Sequence, residues 1–68
     1  MSGNPKITAK EKEILVLIAE GLSGKQIAER TGLAENTIAN HRKSLLRKTN
    51  SKNMAELIKY AIVNKIIN

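Results

Sequence analysis

Asn36, Asn40, Lys43 and Arg47 fall three or four residues apart, with Ala39 three after Asn36 and four before Lys43, the spacing of one face of a helix. Their side chains suit hydrogen bonding to a polyanion better than bond-making chemistry. An Asn amide donates and accepts at once, which matches N6 and N7 of adenine, a bidentate contact worth about 1–3 kcal/mol of discrimination. Asn40 is the best placed of these residues to read a base. Lys43, one turn later, would reach guanine O6 or N7, and Asn36 would contact a base or a phosphate. Lys25, Arg42, Lys43, Arg47, Lys48 and Lys52 are candidate phosphate anchors, which fix register and carry little sequence information. Lys52 is better explained as a solvated charge. Thr37 would add a hydroxyl beside the free amides at the start of its helix.

Catalysis has no comparable support. His41 lies with Ile38 and Leu45 on the opposite, inward side of the same helix, and no nucleophile or carboxylate is spaced to partner it. Glu11 and Glu13 alternate with Lys10 and Lys12 and read as a charged helix face rather than an acid–base pair. The chain has no cysteine and one histidine, so no disulfide, metal site or cofactor is expected. The chain is therefore not expected to be an enzyme.

Composition narrows the partners. The 68 residues carry a net charge of +6. Residues 1–35 hold five Lys/Arg against five Glu, and residues 36–68 hold seven against one. All the excess positive charge therefore lies from the candidate reading helix onward, as a nucleic-acid footprint would have it. Tyr60 is the sole aromatic residue, which argues against modules that stack unpaired bases. No apolar run approaches the roughly 20 residues of a membrane span, and no signal peptide is visible. The expected location is the cytoplasm.

These side chains need helices to hold them. Residues 1–6 (MSGNPK) read as a linker stub or disordered terminus, and residues 7–68 as one domain. Thr8 and Glu11 form a capping box that starts a first helix, with Gly21 just past its end. Ser23 and Gln26 form a second box, and Gly32 closes a short second helix. Asn53 and Glu56 form a third box for a helix running to about residue 66. Between them a helix is expected from about Glu35 to Lys48. Apolar residues recur at helical spacing, with no strand alternation. Residues 24–43, GKQIAERTGLAENTIANHRK, then form a helix-turn-helix, whose second helix enters the major groove. Ile27, Leu33 and Ile38 face one core, and Ala28 allows close helix approach. Met54, Leu57, Ile58, Ala61 and Ile62 form one face of the last helix. Tyr60, Val63 and Ile67 fall on nearly the opposite side, as either ordinary surface or a self-association face.

Residues 7–67 resemble the DNA-binding domain of the LuxR/NarL (GerE-type) family. The resemblance rests on ITAKEKEILVLIAEGLSGKQIAERTGL, on TIANHRKSLLRK and on NMAELIKYAI. It implies an all-α, four-helix domain of the kind found as the C-terminal effector of response regulators in two-component systems. It implies that Ala39, Asn40 and Lys43 face base edges, and that Lys25, Thr37, Arg47 and Lys48 lie near phosphates. It also implies a homodimer through the fourth helix, built here on Tyr60, Val63 and Ile67, on inverted half-sites about 10 bp apart. RNA polymerase and a receiver or sensor domain N-terminal to this one are the further partners it suggests. Three departures from the family pattern stand out. Ala39 replaces a frequent Lys, Ala34 replaces a capping Ser or Thr, and Thr49 and Ser51 replace a buried apolar pair. Two alternatives remain: a promoter-element binder like region four of a sigma factor, and a protein-interaction module of the same fold. Residues 53–67 argue against the first, and the charge asymmetry against the second.

Overall fold

The computed structural model describes residues 7–67; the expected terminal stub at residues 1–6 lies outside them. Four helices follow one another: α1 (Ala9–Ala19), α2 (Gly24–Thr31), α3 (Glu35–Thr49) and α4 (Met54–Val63). Among the described residues there is no strand.

Local signals set most of the boundaries. The Thr8–Glu11 and Ser23–Gln26 boxes both form with reciprocal bonds, so α1 and α2 begin where two orphan amides are satisfied at once. Gly32 takes φ +78°, and its amide closes on Ala28 O, which turns the chain sharply from α2 into α3. The third box forms only in part. Asn53 caps Glu56 N, but the Glu56 carboxylate accepts from Lys52 N, one residue earlier than the expected Asn53 amide. Ala34 gives α3 no side-chain cap at all. At the other end of α3, Asn50 adopts the left-handed conformation at φ +55°, a role its short amide tolerates better than most side chains. The Thr49/Ser51 departure is resolved by hydroxyl bonding. Buried Thr49 donates to Leu45 O, and the two hydroxyl oxygens lie 2.7 Å apart.

The core is in two parts that share α1 and α3. Ile14, Leu17, Ile27, Ala28 and Ile38 form one, with Ile18, Leu22 and Leu33 against it. Leu15, Leu45, Leu57, Ala61 and Ile67 form the other, with Leu46, Met54 and Ile58 among its flanks. Ile38 and Leu45 are two turns apart on α3, so this one helix is gripped at both ends of its inner face. The last helix ends earlier than expected, at Val63 rather than residue 66. Lys65 then takes φ +59° and the chain folds back. Ile67 is carried into the core at 7% exposure, so it is not part of an outer apolar face. Ile62, expected inside, is 52% exposed instead.

An ion pair between a buried carboxylate and a half-buried ammonium joins the two shared helices. Glu11 is 4% exposed, not the surface carboxylate its Lys neighbours suggested. Its carboxylate accepts from Lys48 Nζ at 2.7 Å, Ser44 Oγ at 3.0 Å and Thr8 N at 3.1 Å. Burial pushes this carboxyl's pKa up. The bonds from Lys48, the Thr8 amide and Ser44, with the Lys48 charge, outweigh that and hold it below its ordinary value.

Two stability predictions follow from these contacts. Ala34→Ser supplies the missing cap and should stabilise the domain by about 1 kcal/mol, a rise of about 4–8 °C in Tm for a domain this small. Thermal melts followed by circular dichroism would show it. Glu11→Gln should cost about 1.5–3 kcal/mol, the typical worth of a hydrogen bond to a charged group. Because the folded pKa of Glu11 is depressed, its contribution is full above the unfolded carboxylate value of about 4.3. It is lost as pH falls through the lower folded value. Urea titrations between pH 7 and pH 2 should therefore show the gap between parent and variant closing in acid.

Candidate nucleic-acid interface

The outer face of α3 is bare. Asn36, Ala39, Asn40, Lys43 and Arg47 are all exposed, whereas Ile38 and Leu45 on the inner face are wholly buried. Two capped helices and a glycine turn hold α2 and α1 behind it, so the exposed stripe rides on a helix fixed by its own core contacts. Among the described residues, Asn36, Asn40, Lys43 and Arg47 make no side-chain hydrogen bond or ion pair within the chain. Their donors and acceptors are left for something outside it. Thr37 is half-buried in the first turn, at the edge of this face.

The candidate anchors divide into distinct groups. Lys25 is exposed in the first turn of α2. Arg42 is half-buried and its guanidinium reaches the same turn: a Cβ on Gly24 would stand 3.2 Å from its Nη1. Arg42 Nε is buried with no partner. Arg42 thus reaches from α3 to the turn of α2 that carries Lys25, while Lys43 and Arg47 belong to the exposed stripe of α3 itself. Lys48 differs. It is bound to Glu11, with its side chain 31% exposed, so its first role is to hold α3 to α1. The ion pair gives Lys48 a structural role beside the phosphate contact expected of it, and does not test that contact. Lys52 is exposed in the turn before α4.

His41 is half-buried beside the inner face, as its spacing with Ile38 and Leu45 suggested. On α4, Val63 is 68% exposed and Tyr60 half-buried, and both border a shallow depression with Thr49, Ser51 and Glu56. Ile62 adds a second exposed aliphatic side chain next to Val63. Of the three residues expected on this face, Tyr60 and Val63 lie there and Ile67 does not. Sequence reasoning also missed an apolar cleft on α3, between Ala39, Arg42, Lys43, Leu46 and Met54. The i, i+4, i+7 spacing of Ala39, Lys43 and Leu46 was visible, but Met54 comes from the start of the next helix.

Among the described residues no helix is long and apolar enough to cross a membrane. The chain is similar to several bacterial regulators. It is 40% identical over 65 residues to the transcriptional regulatory protein MctR of Rhizobium johnstonii, covering 96% of this chain and 30% of that protein. It is 36% identical over 61 residues to the oxygen regulatory protein NreC of Staphylococcus carnosus, covering 90% of this chain and 28% of the relative. Among solved structures, the response regulator ChrA of a heme-sensing two-component system superposes with a TM-score of 0.88 at 27% identity, covering 97% of this chain and 33% of ChrA. The Vibrio VqmA–ligand–DNA complex gives a TM-score of 0.84 at 26% identity, covering 97% of this chain and 29% of VqmA. The chain thus spans about a third or less of the length of these proteins. The model of the luxR family of bacterial regulatory proteins matches residues 5–61, from before the first capping box to near the end of α4. With four helices in the expected order and this match over most of its length, the chain belongs to the luxR family of bacterial regulatory proteins.

Proposed function

We propose that this domain binds double-stranded DNA sequence-specifically, with α3 lying in the major groove, as the DNA-binding part of a transcription regulator. The observation that carries the reading is the row of unpaired amides and cations on the outer face of α3, at the start of the segment that holds all the chain's excess positive charge. Asn40 reads a base edge, Lys43 and Asn36 reach a base or the adjoining backbone, and Ala39 lies against the groove floor. Lys25, Thr37, Arg42 and Arg47 neutralise or hydrogen-bond phosphates on either side. Arg42 suits this role because its half-buried guanidinium lies beside the first turn of α2. A DNA complex among the structurally similar proteins lends support to the reading.

The domain pairs with a second copy through α4 and binds inverted half-sites. Exposed Ile62 and Val63, beside half-buried Tyr60, support this part of the reading. A domain this small makes few contacts by itself, and linking two copies raises effective concentration as well as contact area.

Titration of a random duplex at two salt concentrations tests the DNA reading. Affinity should fall with salt, with a slope that grows by about 0.9 in log–log terms for each phosphate neutralised; salt-independent binding, or none, refutes it. Arg47→Ala should weaken all duplexes alike and reduce that slope. Asn40→Ala should instead narrow the gap between preferred and random duplexes, and identical behaviour of the two variants would overturn the division of roles. For the dimer, sedimentation of Val63→Asp on a two-half-site duplex should show one copy bound where the parent binds two.

A further inference from the structure

We propose that the cleft between Ala39, Lys43, Leu46 and Met54 receives the 5-methyl group of a thymine, so that the domain selects T at the base pair facing Ala39. The inference rests on the reading that α3 enters the major groove. Ala39, Lys43 and Leu46 lie along one stripe of α3, and Met54 closes the cleft from the first turn of α4. Its walls are almost wholly hydrocarbon. The Arg42 and Lys43 stems therefore line it, leaving their charged ends outside. Ala39 and Lys43 are exposed at its mouth, and Leu46 and Met54 are half-buried and pack toward the second core. The floor of the pocket, formed by Leu46 and Met54, is thus backed by the fold.

The occupant follows from chemistry. Among the groups that base edges present in the major groove, the thymine methyl alone is apolar. A cleft with an apolar floor and the exposed Lys43 at its rim matches a methyl group carried on a polyanion. An apolar peptide would fill the floor but leave that charge unanswered. The cleft also gives Ala39 a purpose. A long cationic side chain at that position would lie across the mouth, whereas the Ala methyl leaves it open.

Deoxyuridine in place of thymidine removes the methyl and keeps every hydrogen-bonding group, so it isolates this contact. A duplex selected in vitro by the domain would be resynthesised with each thymidine replaced in turn. Replacement at one position in each half-site should weaken binding about fourfold, the worth of one buried methyl-sized group, while the other replacements change little. In Ala39→Gln, whose side chain covers the cleft from an exposed position, that penalty should vanish. The inference is overturned if no replacement weakens binding, or if the penalty persists in Ala39→Gln, which would place the methyl against another side chain. If the domain binds no duplex at all, the major-groove reading fails and takes this inference with it; tight binding indifferent to the methyl removes the cleft alone. Selection of an apolar peptide that competes at the cleft without displacing DNA would also overturn it.

Discussion

The Glu11 carboxylate lies at the start of α1, yet two of its three hydrogen-bond partners come from the last half of α3. One buried charge thus bears on how α3 is set against the rest of the domain. A carboxylate at this depth costs free energy unless every lone pair is used. Here the Thr8 amide, the Ser44 hydroxyl and the Lys48 ammonium supply the donors. The same carboxylate completes the cap of α1. If α3 rotated or slid along its axis by one residue, Ser44 and Lys48 would leave the carboxylate and its burial would go uncompensated. Apolar packing alone tolerates such slippage more easily, because it is non-directional.

The two-part core acts with that ion pair. Ile38 holds the first half of α3 in the helix-turn-helix core, and Leu45 holds the second half against α4. In a domain of this size neither part is large, and stability is correspondingly modest. Both parts nonetheless bear on the same helix. The inner face of α3 is consumed by the fold, and its outer face is left without internal partners. Hydroxyl bonding at Thr49 and Ser51 carries the chain into α4 without an apolar plug at that corner.

What was legible in the residues beforehand was mainly what is local. The Thr8–Glu11 and Ser23–Gln26 boxes and the Gly32 turn depend on neighbours two to four residues away, and they form as their spacing indicates. The exposed stripe of α3 was legible for the same reason, because helical period alone separates Asn40 and Lys43 from Ile38 and Leu45. What was not legible spans long separations or the end of a helix. Glu11 meets Ser44 and Lys48 across more than thirty residues, and its Lys10 and Lys12 neighbours imitate a solvated face. Ile67 was assigned by extending helical period past Val63. Nothing in the residue types announces that Lys65 will take a left-handed conformation, and that single turn carries Ile67 from the outside to the core. The slipped Asn53–Glu56 box is a smaller case, since Lys52 N and Asn53 N compete for one carboxylate.

The freedom of Asn36, Asn40 and Lys43 from internal bonds bears on how such a domain can change over generations. Most substitutions in a marginally stable protein are limited by the folding threshold before they are limited by function. At these three positions the side chains support nothing behind them, so their replacement leaves the packed side of α3 as it was. If these residues read DNA as proposed, target preference can drift while stability stays level. Ser44 and Lys48, on the same helix, lack that latitude because each answers to Glu11. One helix thus carries a face free of internal bonds and a face fixed by them, and on the proposed function a lineage could acquire new binding sites without first acquiring a more stable fold.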